Sequence, residues 1–287
     1  MSNVLITGTS SGFGQLTALA LARRGDRVFA TMRNPNKAQT LTDAARAEEL
    51  ALSIHQLDVT DPASVTRAVA EITELTGTID VLINNAGVGL RGPVDTLADD
   101  ELHAQLDTNV VGALRTIRTV VPLMRKQGTG TIVNVSSMAG LIGVPFEGAY
   151  AASKHALEAL SEALRFELAP DNIRVFIIEP GAFATAFTDN AHEARAFSPQ
   201  HPQRAAYDRF WQAIDTGLHA DGRADPDQVV HAITQAIDQP DGPFRRLVGQ
   251  DAELICALKH DHPFEAFEHT VRATLGLDQP VEATSTA

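Results

Sequence analysis

Cysteine is nearly absent: Cys256 is the only one in 287 residues. A single thiol makes no internal disulfide and no cysteine-based zinc site, which excludes a stapled secreted scaffold. Positive charge is also scarce. Lys and Arg number 23 against 36 Asp and Glu, giving a formal net charge of −13. Such a chain is repelled by phosphate backbones and anionic lipid, so neither nucleic-acid nor membrane-surface binding is expected. No apolar run approaches the roughly 18 residues that a membrane span needs. Nothing basic precedes the first apolar segment at Val4, so no signal peptide is read and a reduced, cytoplasmic location is expected. Linker-like stretches and internal repeats are missing too. What is present is 44% hydrophobic and 21% charged, close to a globular average. We expect one domain over residues 1–277 and a frayed tail over 278–287.

Short apolar runs recur at Val4–Thr7, Arg27–Thr31, Leu52–Val59, Val81–Asn84, Thr131–Ser136 and Arg174–Ile178. Their continuous character suits parallel strands buried on both faces. Helix-spaced segments lie between them, at Phe13–Arg24, Ala98–Lys126 and Gly148–Ala169. Asp61-Pro62 reads as an N-cap followed by the first helical residue. This alternation predicts an α/β fold, a doubly wound parallel sheet of Rossmann type with helices on both faces. Beyond Glu179 the rhythm changes. Residues 182–219 read as helical and polar, and 182–225 as a lid over substrate. A helix is expected from Asp225-Pro226 to about Asp238, a last strand at Phe244–Val248, and mostly helix over Glu253–Leu275.

The first strand runs into Thr7-Gly8-Thr9-Ser10-Ser11-Gly12-Phe13-Gly14 and then a helix. Glycines permit a tight turn and close approach of backbone to a pyrophosphate. The helix N-terminus adds free N–H groups and partial positive charge. The spacing is G-x-x-x-G-x-G rather than the general G-x-G-x-x-G, and a plain tight turn is the other reading. The second strand ends Ala30-Thr31-Met32-Arg33, with no acid to take a ribose 2′-hydroxyl. Arg33 suits a 2′-phosphate and points to NADP, with NAD and a merely solvated arginine as the alternatives. Asp58 could accept from an adenine amino group or support a helix start.

Tyr150-Ala151-Ala152-Ser153-Lys154 follows Asn134-Val135-Ser136-Ser137. Tyrosine and lysine four apart share a helix face. An ammonium near a phenol, whose unperturbed pKa is about 10, favours the phenolate and so a group able to exchange a proton near neutrality.

Taken with Asn84-Asn85-Ala86-Gly87, Asn109-Val110-Val111-Gly112, Ser137 thirteen residues before Tyr150, and Pro180-Gly181 with Thr185, these motifs resemble the short-chain dehydrogenase/reductase family over residues 4 to about 185. Ala30–Asn34, Asn85–Pro93 and Gly143–Phe146 look like its 17β-hydroxysteroid and retinol dehydrogenase branch. The resemblance implies hydride transfer between a nicotinamide cofactor and a carbonyl or alcohol carbon, with Tyr150 as general acid and base. It implies that Lys154 lowers the Tyr150 pKa and holds the nicotinamide ribose. Ser137 would bind the carbonyl oxygen, with Ser136 as its competitor for that role. Asn109 would hold a relay water or satisfy buried backbone. Gly8, Ser10, Ser11, Gly12, Phe13, Gly14, Arg33, Asp58, Val59, Asn85, Ala86 and Gly87 would contact the cofactor. Pro180, Gly181, the Phe183 backbone and Thr185 would fix its carboxamide, and the Phe183 ring would narrow the pocket.

Substrate contacts are expected from Met138, Leu141, Val144 and Phe146, with rim polarity from Glu147 and Arg91. Seven aromatics within residues 176–211 read either as an apolar lid or as ordinary packing. His260 and His262 stand two apart and do not share a helix face, so no metal site is expected. The expected activity is an NADP-preferring oxidoreductase on a hydrophobic ketone or secondary alcohol, acting as a homodimer or homotetramer. The alternatives are an NAD-dependent alcohol dehydrogenase of the same family and a non-enzymatic NADP sensor.

Overall fold

In the computed structural model, residues 1–187, 191–218 and 224–278 are described. Residues 279–287 of the expected tail and parts of the expected lid fall outside them. The first half runs β1 (Asn3–Thr7), α1 (Gly12–Arg23), β2 (Arg27–Met32), α2 (Gln39–Ala47), β3 (Leu52–Gln56), α3 (Pro62–Thr76) and β4 (Val81–Asn84). Next come β5 (Leu90–Arg91), α4 (Asp99–Leu106), α5 (Gly112–Gln127), β6 (Gly130–Val135), α6 (Gly148–Leu168) and β7 (Ile173–Pro180). Then follow β8 (His192–Glu193), α7 (Arg204–Ala213), α8 (Asp227–Asp238), β9 (Arg245–Val248), α9 (Gln250–Asp261) and α10 (Phe264–Thr274).

The main sheet has seven parallel strands in the order β3-β2-β1-β4-β6-β7-β9. It is the doubly wound sheet that the sequence predicts. Alternate residues of each strand point to opposite faces. Val4, Ile6, Val28 and Phe176 pack with α1 and α8, while Leu5, Phe29, Leu82 and Val175 pack with α3 and α5. Each such fully buried side chain contributes roughly 1.5–3 kcal/mol. Strand order reverses between β1 and β4, which opens a crevice beyond their C-terminal ends. Under that crevice runs a buried polar ladder. Thr116 Oγ1 donates to Asn84 Oδ1 at 2.6 Å, Asn84 Nδ2 to Asn134 Oδ1 at 2.9 Å, and Asn134 Nδ2 to Ser161 Oγ at 2.8 Å. Among the described residues, no helix is long and apolar enough to cross a membrane.

Four segments differ from expectation. The described residues of 182–203 are not helical; β8 lies there and pairs with β5, and helix begins only at Arg204. Pro199 and Pro202 hold that stretch extended or turned until they are passed. The long Ala98–Lys126 helix is interrupted by a π-turn over Asp107–Val111. Glu253–Leu275 is two helices, parted by Pro263 with His262 extended before it. The third strand is shorter than read, because Leu57–Val59 leave the sheet to line the crevice.

Candidate active site

A cleft of about 920 Å³ runs across the C-terminal edge of the sheet. At one side lies the glycine turn. Gly8 has φ of +72°, and a β-carbon there would stand 2.7 Å from Ala86 Cα. Only glycine fits. Asn85 Nδ2 straps the turn by donating to the carbonyls of Thr7 and Gly8 at 3.0 and 2.9 Å. Asn85 N and Ala86 N both donate to Thr7 Oγ1 at 3.0 Å. The Ser11 side chain makes no capping bond and no acid sits in the first turn of α1. The helix start therefore offers its N–H groups to the cleft, as a dinucleotide pyrophosphate requires. Thr185 closes over this turn, its Cβ 3.6 Å from where a Gly12 β-carbon would be.

Ser10, Ser11, Gly12, Phe13, Arg33, Asp58, Val59, Ala86, Gly87, Pro180, Gly181 and Phe183 also line the cleft. Gly14 lies just beneath it, packed on Gly8 and Asn85. Lys37, which the sequence reading passed over, stands beside Arg33 at the adenosine end. Its only sequence signal is a position four residues after Arg33. Asp58 Oδ1 accepts from Thr60 N at 2.9 Å and Thr60 Oγ1 at 2.7 Å, so part of its carboxylate holds a local turn. The Phe183 ring is turned into the core, edge-on to Phe13 at 5.6 Å. The packing absorbs much of the bulk expected to narrow the pocket.

The residues expected to handle the proton come from α6 and the turn after β6. Tyr150 is buried, with the Phe187 ring 5.4 Å away, and it lines the cleft together with Ser137, whose Oγ donates to the Pro180 carbonyl at 3.4 Å. Ser137 Oγ also accepts from Ala139 N at 3.1 Å. Lys154 Nζ donates to the Val135 carbonyl at 2.9 Å and lies 5.6 Å from the Tyr150 ring centre. Burial, helped by the Glu147 charge, pushes the Tyr150 phenol well above its usual range, against the pull of Ser137. The lowered phenol expected from the lysine is therefore not what these residues produce. Burial also pushes Lys154 down to about 8, opposed by the Glu158 charge. Asn109 is fully engaged. Oδ1 accepts from Val88 N at 2.9 Å, and Nδ2 donates to Val88 O and Ser153 Oγ at 3.0 Å. That is the backbone-satisfying reading, and the π-turn is what aims the side chain. Ser136 Oγ is buried without a hydrogen-bond partner among the described residues, while Ser137 is the serine beside Tyr150.

Residues 2–196 match the family model for short chain dehydrogenase. The chain belongs to that family. It is 35% identical over 258 residues to 3-ketodihydrosphingosine reductase of Bacteroides thetaiotaomicron, covering 88% of this chain and 90% of that one. It is 34% identical over 268 residues to human 17-beta-hydroxysteroid dehydrogenase type 1, covering 91% and 81%. A short-chain dehydrogenase structure from Streptomyces avermitilis superposes with a TM-score of 0.80 at 32% identity, over 97% of this chain and 99% of its own. A variant of actinorhodin polyketide ketoreductase, solved with NADPH, gives a TM-score of 0.74 at 27% identity over 86% and 94%. As a short-chain dehydrogenase the protein is an oxidoreductase acting on CH–OH groups with a nicotinamide cofactor.

The substrate half of this dehydrogenase's cleft is mostly apolar. Met138, Val144, Phe187, Phe210, Ile255 and Val271 line it. Leu141 and Phe146 do not. Phe146 packs behind the wall on Tyr207 and Phe210, at 5.4 and 5.5 Å. Behind Lys154, Arg245 Nη1 binds Glu158 and also Glu179, at 2.8 Å, while Nη2 reaches Glu162 at 3.0 Å. Burial, with the Glu158 charge beside it, lifts Glu179 to about 7.

Proposed function

We propose that this short-chain dehydrogenase prefers NADP and interconverts a hydrophobic ketone, steroid-, retinoid- or xenobiotic-like, with its secondary alcohol. The observation that carries the reading is that Ser137, Tyr150 and Lys154 line one cleft together with the apolar Met138, Val144 and Phe187. When bound, the nicotinamide supplies or accepts the hydride. The chain's own residues handle the proton and the oxygen. In reduction Tyr150 gives its proton to the carbonyl oxygen, and Ser137 donates a hydrogen bond to that oxygen as negative charge grows on it. A phenol held protonated by burial suits this direction near neutral pH. In oxidation Tyr150 takes the alcohol proton and must first lose its own, which calls for higher pH. Lys154 would hold the nicotinamide ribose hydroxyls of a bound cofactor. Asn109 holds the Val88 backbone and Ser153 in place beside the helix that carries Tyr150 and Lys154.

NADP preference is supported by Arg33 and Lys37 at the adenosine end, where β2 ends without an acid. Fluorescence titration with NADPH and NADH in parallel tests it. Tighter NADPH binding is expected, and Arg33→Asp should shift the ratio toward NADH. Tighter NADH binding, or a ratio that Arg33→Asp leaves unchanged, refutes the preference. Binding of neither refutes the cofactor site as read. We also propose a cytoplasmic location and a homodimer or homotetramer, the assembly being supported by Phe166 on α6, which is 74% exposed.

A further inference from the structure

Among the described residues, the mostly apolar substrate half of the cleft holds one part-buried ion pair. Glu147 N-caps α6, and Arg91 ends β5 across from it. Arg91 Nε donates to Glu147 Oε1 at 3.1 Å, and both side chains are about 15% exposed, 14% and 16%. A desolvated pair of this kind costs more than an apolar pair of equal volume, so packing alone does not account for it.

Three features fix the pair in place. The Arg91 guanidinium lies over the Trp211 ring at 3.9 Å, which orients its plane. Gly92 N donates to the Phe146 carbonyl at 2.8 Å, tying the strand to the helix start. Phe146 itself has φ of +61°, a strained backbone for an aromatic residue, and this turn delivers the next side chain, Glu147, to the cleft. Ala151 N donates to the Glu147 carbonyl, so Glu147 and Tyr150 occupy one helical turn. Side chains three apart stand about 5–6 Å apart on one face. Among the described residues, Glu147 Oε2 receives no hydrogen bond.

We propose that Glu147, held by Arg91, is a specificity-determining residue that selects ketones carrying a hydroxyl next to the reacting carbonyl. The proposal rests on the ketone reading above and narrows its substrate class. A carbonyl oxygen placed at Tyr150 and Ser137 leaves the adjacent carbon facing Glu147, one turn away. A hydroxyl there donates to Oε2. An ammonium also donates, but the Arg91 charge beside Glu147 repels it and offsets the advantage of a cation. A plain alkyl ketone leaves Oε2 desolvated and unpaired, which penalises its binding.

The test is kcat/KM with NADPH for three matched probes: 2-octanone, 1-hydroxy-2-octanone and 1-amino-2-octanone. The expected hydroxyl-to-plain ratio is about 10- to 100-fold in the native enzyme. It should fall in Glu147→Gln and approach one in the combined variant Arg91→Leu with Glu147→Leu. That variant replaces the pair by apolar groups and leaves no buried charge, and NADPH titration shows whether it is folded. A native ratio near one, a ratio unchanged in the combined variant, or a preference for the amine overturns the inference. Turnover of 2-octanone at a ratio of one sinks this inference alone. Turnover of no ketone with either nicotinamide sinks the underlying reading with it.

Discussion

Tyr150 is a weak acid made weaker by its surroundings, and that sets what its removal should do. Tyr150→Phe deletes the proton and little volume. We expect kcat for ketone reduction to fall by about 10²–10⁴ while the NADPH dissociation constant stays within about threefold. Steady-state kinetics and a fluorescence titration on the same preparation check both halves. Because the Glu147 charge helps hold the phenol up, Glu147→Gln should move the ionisation that governs alcohol oxidation to lower pH. A pH–rate profile that stays put would mean burial alone sets it. Much of this scale is legible in sequence because the geometry is local. Tyr150 and Lys154 share a turn-and-a-bit of one helix, and Ser137 sits at a fixed distance before them. The direction of the Tyr150 shift is not legible, since burial is a property of the folded whole. The setting of Lys37 and the partner of Glu147 are not legible for a related reason: each depends on what lies opposite it in space.

Elements bring their own constraints. The turn between β1 and α1 depends on Gly8, whose backbone is left-handed and whose missing side chain admits Ala86. Gly8→Ala should cost about 1–3 kcal/mol in urea unfolding and weaken nucleotide binding with it. Behind the site, the Glu179 carboxyl is raised from 4.5 to about 7, so between those values the folded protein keeps a proton that the unfolded chain has released. Stability from this group is complete below about 4.5 and is lost as pH rises through 7. Glu179→Gln should therefore gain on the native protein more at pH 8 than at pH 5, read as the difference in denaturation midpoints. Most elements were legible from apolar runs bounded by turn residues. The failures share a cause. The π-turn at Asp107–Val111 changes no residue type, and β5 and β8, at two residues each, are too short for any period. Residues 182–203 hold aromatics that dock singly, Phe187 on Tyr150 and Phe197 on Tyr207, rather than along one helix face.

At the scale of the molecule, the cleft gathers residues from Gly8 to Leu275, so both ends of the chain build it. Lys259 Nζ donates to the Leu141 carbonyl at 2.9 Å and pins α9 to the serine turn. The exposed Phe166 is the basis of an assembly prediction. Phe166→Glu should convert the proposed oligomer to a smaller species in light scattering, with the unfolding midpoint of each subunit little changed. An unaltered mass would place the contact elsewhere.

The position of β9 has a consequence for how the protein is made. This edge strand pairs with β7 and delivers Arg245 to Glu158 and Glu179. During synthesis at roughly 5–20 residues per second, α6 and β7 emerge well before it. For several seconds the ribosome-bound chain holds two carboxylates destined for burial with no cation between them. The strand beside them waits for a partner more than sixty residues downstream, and non-local parallel pairing is slow. The nascent chain is thus held back from sealing its catalytic half until residue 245 is clear of the exit tunnel. A synthesis pause before that point should lengthen its exposure to chaperones and proteases.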